Sequence, residues 1–534
     1  MGNLLHSDFI ATAARHPAKV AVVEESGTAI TYGDLDALSN QYAAWLAGKK
    51  SDVRFRPYVG ILSPVNINSI AACLGILKIG GAYVPLDEHS PDSRLAEIVG
   101  RTELDVLIVD AAHRESHREL LRHPALKAVL VLGDDLGDLA PNESDLADVT
   151  RCSATVSVTD DGLIDDLAYV LHSSGSTGVP KGIMLTHRNA NTFVSWMQKE
   201  FQLTPDDVVM SRAPFKFDLS VFDVFNTFKA GATLVCYDWN RRRKGDAKHR
   251  DYVQLMVRHD ATVLYTTPST FIALLNRGEL AEAKPPLRQV MYAGEPFPTP
   301  QLRRLRDALP GTRIANIYGP TETNIITCHW VDSIPDDDSP IPLGRVVDDT
   351  EILVVNDAGD RTCAPNEVGE LWCRGGTVTL GYLGLDDKTA ECLVRSPFHS
   401  YPAYFWRTGD YGFYDQDGVL HYRGRKDSMV KVKGFRIELG EIETALAKHP
   451  SLDEFAVVAV ADESYSNRLY CHYSVRGDSS LEPAELRDFL ATLLPAYMIP
   501  YDCMPHDALP KTSSGKIDRL LLRDTSGRHE VQLT

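Results

Sequence analysis

An apolar strand that runs straight into a loop of hydroxyls, glycines and one lysine, Leu167-Ala-Tyr-Val-Leu-His-Ser-Ser-Gly-Ser-Thr-Gly-Val-Pro-Lys-Gly182, constrains this chain more than any other segment. Gly175, Gly178 and Gly182 let the backbone take positive φ and turn successive N–H groups inward as an anion nest. Ser173, Ser174, Ser176 and Thr177 add hydroxyl donors, and Lys181 adds a positive charge. Such a loop is suited to phosphate. It is not the phosphate loop that closes on Gly-Lys-Ser/Thr, because Pro180 occupies the place of that motif's second glycine.

A phosphate-binding loop does not by itself imply a nucleic-acid partner. The net charge of −18 argues against one, since nucleic acid needs a basic face. The 534 residues are too many for one core, so two or three domains are expected. Nine cysteines are scattered without a C-x-x-C pair, which points away from zinc and from a disulfide framework and fits a reducing cytoplasm. The N-terminus lacks the basic and apolar regions of a signal peptide, and no apolar run reaches membrane-spanning length.

From Leu4 to Val430, β-branched strands such as Val20–Val23, Leu104–Asp110 and Ala128–Gly133 alternate with amphipathic helical stretches such as Ser69–Lys78. That alternation predicts an α/β fold with substantial parallel sheet. Asp134 to Asp148 reads as an acidic loop. After Gly424-Arg-Lys-Asp427 a compact α+β series begins. It predicts a helix over Leu439–Ala447 with Ile442, Ala445 and Leu446 on one face, a strand over Glu454–Val460 pairing with Leu469–Val475, and a helix over Pro483–Leu494. The expected organisation is a large multi-subdomain α/β region over 1–426 and a small, mobile α+β domain over 427–534.

Further segments occur in a fixed order: Ile30-Thr-Tyr-Gly-Asp-Leu35, Leu77 to Asp87, Phe217-Asp-Leu-Ser220, Tyr318-Gly-Pro-Thr-Glu322, Gly369-Glu-Leu371, Tyr404 to Asp410, Gly424 to Lys431 and Pro510-Lys-Thr-Ser-Ser-Gly-Lys516. With the Ser/Gly loop, and with Thr377–Tyr382 as a looser match, they span nearly the whole chain. They resemble the core motifs of the adenylate-forming enzymes, and most closely the adenylation domains of nonribosomal peptide synthesis. The resemblance implies that fold and an activity, the activation of a carboxylate by ATP with Mg2+.

In such a reaction the carboxylate attacks the α-phosphorus in line and pyrophosphate leaves, so the protein's task is positioning and charge stabilisation. The resemblance gives the Ser173–Lys181 loop the β- and γ-phosphates and Glu322 the Mg2+, with Thr321 close by. It gives Tyr318 the adenine, Asp410 the two ribose hydroxyls with help from Arg425, and Lys516 the substrate carboxylate and α-phosphate. Asp427 takes the hinge position. A catalytic lysine on a mobile unit lets one chain build two sites in turn, and after rotation Gly434-Phe-Arg436 is expected to face the tunnel of an attacking phosphopantetheine thiol.

Asp218 matches the position at which amino-acid-activating members of the family pair the substrate ammonium, and with Lys516 it would read a zwitterion. A helix cap is the plainer alternative for an aspartate just before Ser220. The other positions that match the family's pocket are Leu219, Phe222, Thr266, Met291, Ala293, Ile317, Ile325 and Ile326. Only Thr266 is polar, so the resemblance implies an apolar side chain of small to medium size, with Phe222 and Met291 limiting depth. The Phe217–Asp223 segment is similar to free-standing enzymes for proline and D-alanine, and a short β-amino acid also fits. The chain shows neither a carrier-protein serine motif nor a His-His-x-x-x-Asp motif, so the expected acceptor is a separate phosphopantetheinylated carrier protein. Whether a small helper protein takes part stays open. Two rivals stand beside this function: an acyl- or aryl-CoA ligase of the same superfamily, which has no use for Asp218, and an inactive nucleotide-binding module, which has no use for Lys516, Glu322 and Asp410 together.

Overall fold

A computed structural model of the chain describes residues 4–49, 57–133, 136–155, 162–173, 180–239, 247–337, 339–425, 429–432, 434–462, 466–475, 480–511 and 517–533. Ser174, Gly175, Ser176, Thr177, Gly178, Asp427 and Lys516 lie outside these residues, as does the side chain of Arg436.

Two large sheets form the body of the molecule. In the eight-stranded sheet, Ala82–Pro85, Tyr58–Leu62, Val106–Asp110 and Ala128–Leu132 run parallel, and Leu167–Ser173 pairs antiparallel with Lys181–Thr186. In the nine-stranded sheet, Val20–Glu24, Thr233–Cys236, Val208–Met210, Val263–Thr266, Gln289–Tyr292 and Arg313–Tyr318 form a parallel core. These parallel strands are apolar on both faces because helices cover both. One such helix, Ile67–Lys78, starts at a capping box in which the Asn66 side chain accepts from the Ser69 N–H. It packs so closely on Tyr32–Gly48 that a Cβ on Gly75 would stand 2.7 Å from Tyr42 Cβ.

A five-stranded antiparallel sheet, Thr350–Val355, Gly369–Gly375, Leu393–Arg395, Tyr404–Tyr414 and Leu420–Arg425, follows. The strands after residue 429 pair among themselves: Met429–Val432 with Phe435–Glu438, and Leu452–Asp462 with Ser466–Val475 and Asp502–Pro505. They have their own core, to which Ile442, Ala445 and Leu446 contribute from the helix Leu439–Leu446.

Two expectations need correction. The acidic stretch 134–148 is not all loop: Glu143–Asp145 adds a parallel strand beside Ala128–Leu132, and Asp145 and Asp148 close a capping box that starts the helix Leu146–Thr150. Carboxylates that look like a solvated run are serving as caps. The helix begun at Pro483 ends at Ala491 rather than Leu494, and a short 3-10 turn, Ala496–Met498, follows Pro495.

Candidate functional site

The carboxyl ends of the parallel strands in both large sheets open on one cavity of about 370 Å3. Ser211, Thr266, Ala293 and Gly319 lie at or just beyond the ends of strands in the nine-stranded sheet, while Asp87 and Ser173 come from the eight-stranded one. Open parallel sheets place ligands at these ends because the loops there are free to converge.

One part of the wall centres on Asp218. Asp218 precedes the helical turn Leu219–Val221, but its side chain closes no capping hydrogen bond, so the cap does not account for it. The chain continues as a π-helical turn, Phe222–Asn226, a geometry common where function displaces regular hydrogen bonding. Burial pushes the Asp218 carboxyl from 3.8 up to about 6, with Glu322 adding to the rise, against the opposing pull of the Leu219 N–H, the Lys431 charge and the Thr321 hydroxyl. Leu219, Thr266, Ala293 and Ile325 share the cavity wall with it. Phe222, Met291, Ile317 and Ile326 do not; they are fully buried in the core behind. Tyr265 lines the cavity in their place, and Phe222 meets its ring edge-on at 5.5 Å. Phe222 therefore limits depth by propping Tyr265. Tyr265 escaped notice in the sequence because on a strand buried on both faces no periodicity marks the residue that faces a cavity.

Another part centres on Asp410 and Arg425. Tyr404–Tyr414 and Leu420–Arg425 pair in a register that sets Asp410 opposite Arg425. Arg425 Nη1 donates to Asp410 Oδ1 at 2.8 Å, and the Tyr318 hydroxyl donates to Oδ2 at 2.7 Å. The Tyr422 hydroxyl also donates to Oδ1, at 3.5 Å, so Oδ1 has two protein donors, while Oδ2 has one and keeps capacity for a second. Asp410, Arg425 and Thr321 line the cavity, whereas Tyr318 stands behind Asp410, buried in an apolar cluster. Burial and the Asp410 carboxylate push the Tyr318 hydroxyl far above its ordinary pKa, so it stays a proton donor.

Lys181 and Glu322 are joined by a residue with no assigned part. The Tyr382 hydroxyl donates to Glu322 Oε1 at 2.8 Å, and Lys181 Nζ lies 5.4 Å from the centre of the same ring. Tyr382 ends the loose motif Thr377–Tyr382, which was the only signal available for it. Glu322 and Lys181 are both buried. Among the described residues no group of three or more His, Cys, Asp or Glu side chains could hold a metal ion.

The small sheets reach into this site. Gly434 and Phe435 line the cavity, and Gly434, at φ +85°, approaches so closely that a Cβ there would stand 2.9 Å from Thr267 Cγ2. Phe435 stacks on Tyr497 at 3.8 Å and meets Phe217 at 5.1 Å, and these rings surround the Lys216 ammonium, which pairs with Asp87 at 2.6 Å. The residues flanking 512–516 are anchored elsewhere. Lys511 bridges Ile517, and Ile517 packs on the small unit's own apolar cluster with Ala456 and Val458.

Comparison with known proteins agrees with this architecture. A family model described as "AMP-binding enzyme" matches residues 9–383, and one described as "AMP-binding enzyme C-terminal domain" matches residues 441–516. An L-proline–[L-prolyl-carrier protein] ligase of Streptomyces coelicolor is 36% identical over 526 residues, covering 95% of this chain and 94% of its own. One from Pseudomonas fluorescens is 34% identical over 521 residues, covering 97% and 98%. In fold alone, the amide bond synthetase McbA of Marinactinospora thermotolerans is similar with a TM-score of 0.84 at 21% identity, over 97% of this chain and 99% of its own. Among the described residues no helix is long and apolar enough to cross a membrane. With both family models matched in order and relatives aligned from end to end, the chain belongs to the AMP-binding enzymes and carries the adenylate-forming fold.

Proposed function

We propose that the chain is an ATP-dependent ligase that activates an amino acid as its aminoacyl-AMP, releases pyrophosphate and passes the aminoacyl group to the phosphopantetheine thiol of a carrier protein. The observation that carries this function is Asp218: a half-buried, partly desolvated carboxylate on the wall of the cavity that Asp410 and Arg425 also line. A site for an acyl or aryl acid has no reason to bear the cost of that desolvated carboxylate. The relatives' proline substrate matches a pocket walled by Leu219, Ala293, Ile325 and Tyr265, so L-proline is the first candidate among small apolar amino acids.

In the first half-reaction the substrate carboxylate attacks the α-phosphorus while Asp218 holds the ammonium. The Ser173–Lys181 loop receives the β- and γ-phosphates, Asp410 and Arg425 orient the ribose, and Lys516 offsets the charge that grows at the α-phosphate. Glu322 would hold Mg2+, a hard cation taken through one carboxylate and substrate phosphates, which supplies charge neutralisation when bound; a buried carboxylate oriented by the Tyr382 hydroxyl fits that need. The two units are assigned to 1–426 and 427–534 with the hinge at Asp427. Gly434 and Phe435 at the cavity wall support the thiol-transfer arrangement; turning about the hinge would exchange them for Lys516.

Amino-acid-dependent exchange of labelled pyrophosphate into ATP, over a panel of proline, other small α-amino acids, β-amino acids and aryl acids, tests the proposal. Exchange with a small amino acid supports it. Exchange supported only by aryl or fatty acids would mean that Asp218 has been misread.

A further inference from the structure

Across the nine-stranded sheet the cavity residues Gly319, Ala293, Thr266, Arg212 and Trp239 follow one another at or just beyond the ends of neighbouring strands. With strands about 5 Å apart, Arg212 stands one strand beyond Thr266 and Trp239 two. Three arginines line the cavity among the described residues. Arg94 pairs with Glu441 and Arg425 with Asp410. Arg212 differs: among the described residues nothing accepts a hydrogen bond from its guanidinium, and its Nε is sealed from solvent without a partner. The guanidinium carbon lies 4.0 Å from the centre of the Trp239 ring, which holds the fork in place by stacking. Asp223 does not supply the missing counter-charge. Its Oδ2 accepts instead from the backbone N–H groups of Arg212 and Ala213, and burial pushes its carboxyl from 3.8 up to about 8, so near neutral pH it is largely protonated. Burial also pulls the Arg212 guanidinium below its ordinary pKa, as expected of a cation desolvated without a hydrogen-bonded anion.

We infer that Arg212 anchors an oxyanion subsite in this cavity, filled by a carboxylate or phosphate group of a bound ligand. A desolvated cation without a partner is costly, and a ligand oxyanion offsets that cost by taking parallel N–H···O bonds from the fork. The Arg212 side chain is half-buried and borders the cavity. Lys248 adds a second positive charge at the same end; the Tyr237 ring, 5.0 Å from Trp239, donates its hydroxyl to the Lys248 carbonyl at 2.6 Å. The ligands of the adenylation function bring one such chemistry from two sources. One is the side-chain carboxylate of an acidic amino acid held at Asp218, and the other is the phosphate of the carrier protein's phosphopantetheine. The choice of these ligands rests on that function, whereas the subsite rests on the geometry around Arg212.

The test is equilibrium binding by titration calorimetry on the full chain, with two pairs of probes that differ in one negative charge-bearing group: glutamate against glutamine, and phosphopantetheine against pantetheine. The natural chain should bind the anionic member of one pair roughly tenfold or more tighter than its neutral counterpart, and the pair that is discriminated identifies the source of the oxyanion. Arg212→Met, which keeps the length of the side chain without its charge, should erase that preference. Arg212→Lys, which keeps the charge and loses the fork, should retain part of it. The urea midpoint of Arg212→Met should not fall, because the variant removes an uncompensated cation. A natural chain that discriminates in neither pair, or a preference that survives Arg212→Met, overturns the inference. So does a urea midpoint lowered alike in both variants, which marks the arginine as structural. Pyrophosphate exchange on the same preparation keeps the two readings apart: its absence with every amino acid counts against the adenylation function, while the calorimetric preference is read without it.

Discussion

Replacing Asp218 by Asn should make the protein more stable and nearly useless as an amino-acid ligase, and both effects follow from the same burial. Asn keeps the shape of the side chain and an oxygen that can accept from the Leu219 N–H and the Thr321 hydroxyl. What it removes is a negative charge in a poorly solvated wall. The carboxyl titrates at about 6 instead of 3.8, so between those values the folded protein holds a proton that the unfolded chain releases. Stability therefore falls as pH rises through that window. The ionised carboxylate then costs up to about 3 kcal/mol at pH 8, a ceiling because the side chain borders a cavity that admits water. Thermal or urea unfolding of Asp218→Asn against the natural chain should show the variant ahead at pH 8 and the advantage gone near pH 4. Pyrophosphate exchange should show the opposite ranking, with the amino acid KM raised about a hundredfold or more, since a buried ammonium loses its counter-charge, and the ATP KM unchanged. In the natural chain, apparent amino acid affinity should weaken below pH 6 as Asp218 takes up its proton, and that dependence should vanish in the variant. An Asn variant that is less stable at pH 8, or one that keeps a normal amino acid KM, would refute the assignment of Asp218 to the substrate ammonium.

Three further outcomes are expected. Lys516→Ala should lose exchange by about a hundredfold or more while still binding ATP in equilibrium dialysis, the pattern of a group that acts on the transition state and not on the ground state. Tyr382→Phe, which deletes only the hydroxyl on Glu322, should raise the Mg2+ concentration needed for half-maximal exchange by roughly 10-fold, the usual scale for a group that orients a metal ligand; an unchanged Mg2+ dependence would detach Glu322 from the metal. Gly434→Val, at φ +85° and against Thr267, should slow transfer to a carrier protein at least about tenfold and leave exchange near normal, as a comparison of the two assays on one preparation would show.

What the sequence made legible is the part of the site carried by short contiguous motifs, and what it hid is the part made by distant segments meeting. Asp410 and Arg425 both stand in motifs, and strand pairing sets them opposite each other; the pairing was invisible, but the two residues were not. The pocket positions Met291 and Ile317 lie one layer behind the cavity because a buried parallel strand offers no alternation from which to tell its inner from its outer face; Phe222, on a helical turn, and Ile326, just before the strand Thr327–Trp330, are buried behind it too. Tyr382 and Glu438 were less legible still. Each touches Lys181, from sequence distances of 201 and 257 residues by subtraction, and neither a tyrosine ending a loose motif nor a glutamate in an amphipathic run departs from what core packing and solvation alone would choose. The alternation of strands and helices dictated two parallel sheets whose carboxyl ends face a common space, and in such a fold chemistry collects at that space whatever its residues' order in the chain. Residues were therefore readable where one short motif carries them, as at Asp410 and Arg425. A contact such as that of Lys181 with Glu438 was not, because a sequence shows a lysine the same way whichever carboxylate it meets.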